Sequence, residues 1–266
     1  MSTKNITIIF SIVFFIMLLF YFLVMLPKKY VQDDLYDRIL KRGFLIVGIN
    51  IDSKPFGFKD TDGKIKGFDV DLAKNIAQYI LKNPKAVKFV PVTHSDRILK
   101  ASTGEVDIVI ATMTITPQRQ EIIEFSRPYD VAGQSILILE SSTVTSITDL
   151  AEKNVGVIFG TTAEKNMRNL VPSSKLIGYK TYESAYHALK KGVISAITSD
   201  DTILRRFDME DTTVKMLPKR YSYEPYGIAF RKGDGSKKLK VELDYAIDDM
   251  LRKNTIRKLK KTWGLE

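Results

Sequence analysis

Apolar and polar positions change period several times along the chain. Residues Ile6 to Leu26 are 21 positions without a charge, a glycine or a proline. As a helix rising about 1.5 Å per residue they would span about 31 Å, roughly a bilayer core. The run exceeds the apolar core of a cleaved secretory signal, and no small-x-small site follows it, so residues 1–30 are expected to form an uncleaved signal-anchor. Beyond it comes a polar helical lead-in, Asp33 to Lys41, and then strands alternate with helices. Phe44–Ile49 reads as a strand. Phe68–Leu81 carries apolar residues at 68, 72, 76 and 80, one face of a helix, which Asn83-Pro84 ends. Val87–Val92 is a strand, Ser95 a cap for a helix through Ser102 that Gly104 closes, and Val106–Met113 a strand apolar on both faces.

A second set repeats the alternation. Strands are expected at Ser135–Leu139, Asn154–Ile158, Leu176–Tyr179 and Val193–Thr198, with helices at Thr162–Leu170 and Tyr182–Lys191. Gly227–Phe230 is a further strand, and Lys237–Thr262 a helix with Leu239, Leu243, Ala246, Ile247, Met250 and Leu251 on its inner face. The alternation implies an α/β architecture.

Composition removes whole classes of chemistry. With no cysteine among 266 residues, disulfides, thiolate metal sites, cysteine nucleophiles and cysteine-linked lipids are out. His94 and His187 are the only histidines, too few for a histidine-rich metal site. No metal or cofactor is expected. The net charge of +10 fits nucleic acid, an anionic membrane or an anionic ligand equally well. Arg252, Lys253, Arg257, Lys258, Lys260 and Lys261 form a basic stretch that reads first as a solvated helix face; an export segment argues against nucleic acid. The positive-inside count works the other way, since Lys4 precedes the apolar run and Lys28, Lys29, Arg38, Lys41 and Arg42 follow it.

Three strand-to-helix turns carry ligand chemistry. After Thr112-Met113-Thr114, Thr116 can cap a helix with Pro117 in its first position. Arg119 then sits in the first turn, where a cation opposes the helix dipole unless an anion pairs with it. Glu121 or Glu124 could supply that anion, and so could a ligand carboxylate. Thr161 and Glu164 have capping-box spacing, and the N–H groups around Thr161 and Thr162 could also meet a second anion oxygen. Asp200, after Val193–Thr198, could cap a helix or neutralise an ammonium. One cation, one ring of N–H donors and one carboxylate describe a pocket for a zwitterion.

Several ordered motifs resemble one family. Gly67-Phe68-Asp69-Val70-Asp71-Leu72-Ala73, the run Thr112 to Arg119 followed by Phe125-Ser126-Arg127-Pro128-Tyr129, Glu224-Pro225-Tyr226-Gly227-Ile228-Ala229 and Lys261-Thr262-Trp263-Gly264 are similar to the family 3 extracellular solute-binding proteins, receptors of polar amino-acid ABC importers. The resemblance covers about residues 35–266.

It implies a two-lobe, periplasmic-binding-protein-like (type II) α/β fold with a hinge. Lobe 1 would be 35–129 plus 227–266 and lobe 2 133–222, with crossings near Tyr129–Gly133 and Ser222–Tyr226. Carried over by position, Arg119 would clamp the ligand α-carboxylate with Thr114, Thr112 and the Thr161–Thr162 amides, and Asp200 would take the α-ammonium. Phe56 and His94 would line the side-chain pocket. Arg97 would read a carboxylate or amide side chain, unless Asp96 neutralises it; Asn50 stands where some acid-binding relatives place a base. Glutamate, aspartate, glutamine, asparagine and cystine stay open. The resemblance places the chain outside the cytoplasmic membrane as a monomer partnered by permease subunits. It also leaves a cyclohexadienyl-dehydratase-like enzyme and an amino-acid sensor as alternatives.

Overall fold

The computed structural model describes residues 12, 14–21 and 34–266. Two compact units make up the chain, Met1–Asp33 and Asp34–Glu266. In the first, the described residues are helical and exposed. The rest of the expected span Ile6–Leu26 lies outside the described residues, among which no helix is long and apolar enough to cross a membrane.

The second unit opens with helix α1 (Leu35–Arg42), capped by Asp34, whose side chain accepts from the Tyr36 N–H at 2.8 Å. Strand β1 (Leu45–Asn50) follows, then three short strands, β2 (Asp52–Ser53), β3 (Gly57–Lys59) and β4 (Ile65–Lys66), that form a small sheet of their own. Next come α2 (Phe68–Leu81), β5 (Val87–Val92), α3 (Arg97–Thr103), β6 (Ile108–Ile110), α4 (Pro117–Ile122) and β7 (Ile123–Ala132). Helix α2 buries Phe68, Leu72, Ile76 and Ile80, the face its period announces. Each such side chain contributes about 1.5–3 kcal/mol by leaving water, and Ile76→Ala is expected to cost about 2–5 kcal/mol.

The chain continues with β8 (Gln134–Leu139), β9 (Asn154–Ile158), α5 (Thr162–Leu170), β10 (Lys175–Tyr179), α6 (Tyr182–Lys190), β11 (Ala196–Asp200), α7 (Asp201–Glu210) and β12 (Val214–Met216). It ends with β13 (Glu224–Arg231), α8 (Lys237–Arg252) and α9 (Thr255–Thr262). Two five-stranded sheets result, ordered β5-β1-β6-β13-β7 and β10-β9-β11-β8-β12. The chain passes from the first to the second at Gly133 and returns between Met216 and Glu224, so β13, α8 and α9 belong with the first sheet. In each sheet three strands run parallel, β5-β1-β6 and β10-β9-β11, and all but β1 lead directly into a helix. The loops after β5, β6 and β9 face one another across a cleft, where Arg119 reaches the Gly160 carbonyl and Gly160 abuts His94.

Several expectations are corrected. The C-terminal helix is two helices, because Asn254 takes a left-handed turn at φ +56°. Leu251 does not lie on the inner face; it is exposed beside that turn. The strand expected at Val106–Met113 narrows to Ile108–Ile110, since Thr112 also turns left-handed at φ +46°. Ser95 is not a cap: α3 starts at Arg97, after a turn in which the Thr93 N–H donates to Asp96 at 2.7 Å. The strand begun at Val193 is shifted to Ala196–Asp200.

Candidate functional site

Arg119 sits in α4, whose cap Thr116 accepts the Arg119 N–H at 3.2 Å. The buried guanidinium donates to the carbonyls of Thr114 at 2.8 Å and Gly160 at 3.2 Å. Among the described residues neither Glu121, Glu124 nor any other carboxylate forms an ion pair with it. Burial, and then the neighbouring Arg97, lower its pKa to about 9, which leaves it a cation at neutral pH.

Arg97 is 2% exposed and donates to the carbonyls of Ala111 and Thr112. Asp96 does not neutralise it: that carboxylate closes the Thr93 turn and lies 3.8 Å from Lys100. The left-handed Thr112 turn aims these carbonyls, and Asp69 holds the turn. At the N-terminus of α2, Asp69 accepts the Thr112 N–H and the Tyr129 hydroxyl, each at 3.2 Å. Burial raises the Asp69 pKa to about 7.

Asn50, at the end of β1, faces His94. Its Oδ1 accepts the Asp52 N–H at 3.0 Å, so its Nδ2 donates to His94 Nε2 at 3.0 Å. Burial, and then Arg97 and Arg119, depress the His94 pKa, and the neutral ring carries its proton on Nδ1. Tyr182 meets the ring edge-on, with centroids 5.7 Å apart. Phe56 is wholly buried, edge-on to Phe68 and Tyr226 at 5.8 Å. His94 Nδ1, Arg97 Nε and Thr112 Oγ1 are buried without a hydrogen-bond partner among the described residues. A donor on the ring, a donor on the guanidinium and a hydroxyl in one cleft suit a polar group rather than a hydrocarbon.

The second sheet supplies the opposite wall. Asp200 stands in the N-cap position of α7 but makes no cap bond; it accepts the Tyr226 hydroxyl instead. Burial raises its pKa to about 7, against the lowering effect of that hydrogen bond. Thr161 caps α5, accepting the Glu164 N–H at 3.4 Å, while Glu164 reaches back to the Gly160 N–H rather than to Thr161. Thr161 and Thr162 are half-buried. Gly160, at φ +82°, lies so close to the first sheet that a Cβ would sit 2.8 Å from the His94 carbonyl.

Of the ten residues singled out in the sequence, Asn50, His94, Arg97, Thr112, Thr114 and Arg119 are gathered on the first wall and Thr161, Thr162 and Asp200 on the second, while Phe56 packs behind them against Phe68 and Tyr226. Asp69, Tyr129, Tyr182 and Tyr226 were not singled out individually, although three of them fall inside the quoted motifs. Among the described residues no group of His, Cys, Asp and Glu could hold a metal ion.

The chain is similar to several known proteins. A glutamine-binding protein of Geobacillus stearothermophilus is 38% identical over 199 residues, 74% of this chain and 76% of its own length. The ABC transporter glutamine-binding protein GlnH of Bacillus subtilis (strain 168) is 34% identical over 238 residues, 89% of this chain and 86% of its own. The crystal structure of AncCDT-1, an ancestral amino acid-binding protein and precursor of cyclohexadienyl dehydratase, superposes with a TM-score of 0.79. It is 35% identical and covers 86% of this chain and 98% of its own. The unit Asp34–Glu266 has the two-lobe periplasmic-binding-protein-like α/β fold. The model of the bacterial extracellular solute-binding proteins, family 3, matches residues 45–266, and the chain belongs to that family.

Proposed function

We propose that the protein is the extracytoplasmic receptor of an ABC importer, capturing a polar L-amino acid of the glutamate, aspartate or glutamine type and delivering it to a permease. The observation that carries this reading is the pairing, in one buried cleft, of two guanidinium groups that bond only backbone carbonyls with one carboxylate, Asp200, on the facing wall. Arg119 takes the α-carboxylate with its planar fork, helped by Thr114, Thr112 and the Thr161–Thr162 amides. Asp200 takes the α-ammonium. Arg97 and His94 Nδ1 read the side-chain oxygen of a carboxylate or an amide.

The lobes are residues 35–129 with 227–266, and 133–222, and they close over the ligand about the two crossings. Closure removes water from the charge pairs and strengthens them. The N-terminal apolar segment keeps the receptor, a monomer, at the outer face of the membrane. The reading is of a binding protein rather than an enzyme: Asp200 is committed to an ammonium, and Glu224, the buried acid near it, already accepts from Asn166 and Ser222 through one oxygen.

A thermal-shift screen against the twenty amino acids, cystine and prephenate tests this. A ligand of the folded state at ~1,000 times its Kd adds about 4 kcal/mol of stability. A large shift with glutamate, aspartate or glutamine supports the receptor. A shift with prephenate alone would favour dehydratase chemistry on this fold.

A further inference from the structure

The basic C-terminal stretch has no part in the cleft, and the fold gives it a defined place. Helix α9 packs against α2 and α8, with Trp263 Nε1 donating to Asp71 of α2 at 3.1 Å. Its outer side exposes Arg257, Lys258 and Lys261. Lys74 and Lys82 are exposed on α2 alongside. At the end of α8, Arg252 and Lys253 are 77% and 68% exposed and share a single carboxylate, Asp249. Glu266 is 3.4 Å from Arg257 and Asp71 pairs with Lys74, but Lys82, Lys258 and Lys261 have no carboxylate in ion-pair range among the described residues. The surface made by three packed helices thus sets these seven cations against Asp71, Asp249, Glu266 and Glu242, which faces Tyr79 of α2, and is net positive.

We infer that this α2–α8–α9 face rests on the anionic phospholipid headgroups of the membrane that holds the chain. The occupant follows from charge complementarity and from chain length. Only seven residues, 27–33, separate the apolar segment from Asp34, a reach of at most ~25 Å. A domain tethered so closely meets the headgroup layer at high effective concentration, so a modest cationic surface suffices to hold it there. The inference rests on the proposed membrane anchor. It adds an orientation: the face bearing α9 turns to the lipid and fixes which side of the cleft meets the membrane.

The test uses the full chain in vesicles and exploits its lack of cysteine. Gln78→Cys, on the exposed side of α2, carries an environment-sensitive dye; Val193→Cys, exposed beside the second sheet, is the control. With 30% phosphatidylglycerol in phosphatidylcholine, the dye at 78 should shift to the blue relative to pure phosphatidylcholine, and the dye at 193 should not. The shift should vanish in about 0.5 M salt, where the screening length falls below ~5 Å, and in the Arg257→Glu/Lys258→Glu/Lys261→Glu variant. Identical emission in both vesicle types, or a shift that survives the charge reversal, overturns the inference. Flotation with pure phosphatidylcholine vesicles reads the anchor separately, so failure of the anchor and failure of the basic face are told apart.

Discussion

The guanidinium of Arg119 donates across the cleft to the carbonyl of Gly160 at 3.2 Å, tying the helix after the first sheet's central strands to the turn before α5. The same arginine reaches the Thr114 carbonyl on its own side. A ligand carboxylate placed there would exchange two neutral acceptors for a charged, bidentate one. Arg119→Ala should therefore weaken amino-acid binding by about 2–5 kcal/mol, and Arg119→Lys, which keeps the charge but loses the fork, by less. Isothermal calorimetry reads both. Wild-type affinity in the alanine variant would remove Arg119 from the site.

Arg97 should govern selectivity more than capture. Its guanidinium is fixed by two carbonyls at the Thr112 turn and offers its remaining donors to a side chain. Arg97→Gln is expected to lower affinity for a carboxylate side chain by at least tenfold more than for an amide one, about 1.4 kcal/mol in the ratio. Equal losses for glutamate and glutamine would mean that Arg97 is a structural cation.

Gly160→Ala tests the closeness of the two walls. The substitution meets both a left-handed backbone at φ +82° and a contact of 2.8 Å with the His94 carbonyl. The backbone alone costs about 1–2 kcal/mol, and the contact exists only while the walls approach. Ligand affinity should fall about tenfold or more, and small-angle scattering should report a more open molecule. An unchanged affinity would show that the turn can shift without cost.

Affinity should rise with pH. Burial lifts Asp200 to about 7, whereas an ammonium requires it ionised. Below that pH, binding must expel a proton, so the association constant should climb by up to about tenfold per pH unit from roughly pH 5 and level off above 7. Calorimetry in two buffers of different ionisation enthalpy measures the proton directly. A flat profile would place the ammonium elsewhere.

Folding stability should fall with pH through a different carboxyl. Asp69, raised to about 7 by burial, holds in the native state a proton that the unfolded chain releases near 4. Its contribution is fully present below the unfolded value and is lost as pH climbs towards 7. In urea titrations Asp69→Asn should gain on wild type over that interval by up to about 4 kcal/mol. A constant difference between pH 4 and pH 7 would show that Asp69 titrates normally.

The helices with a clear period were legible in the sequence: Phe68–Leu81 and Thr162–Leu170 match α2 and α5 residue for residue. Strand β7 was not, because Ile123–Ala132 contains Arg127, Pro128 and Asp130 and resembles a loop; it is an edge strand, where proline is tolerated. The break at Asn254 was hidden because Arg252-Lys253-Asn254-Thr255 has ordinary helix formers on both sides of it. In the cleft, residue types with an evident charge were found from turn chemistry. Tyr182 and Tyr226 were not assigned a part, since a tyrosine becomes a partner to His94 or Asp200 only when segments far apart in sequence are brought together.

The passage between the sheets has a mechanical meaning. Ala132 pairs with Glu224, Val131 with Pro225 and Asp130 with Tyr226, and a Cβ on Gly133 would lie 2.7 Å from the Ser222 carbonyl. The two connections thus leave the first sheet as one ribbon rather than as two independent cords. A paired ribbon flexes readily across its plane and resists bending within it, so torque on either strand is shared by both. In the proposed closure the motion of the two walls is accordingly a swing about a single axis, and work done by a ligand on one wall would arrive at the other as rotation instead of being dissipated as play in the joint.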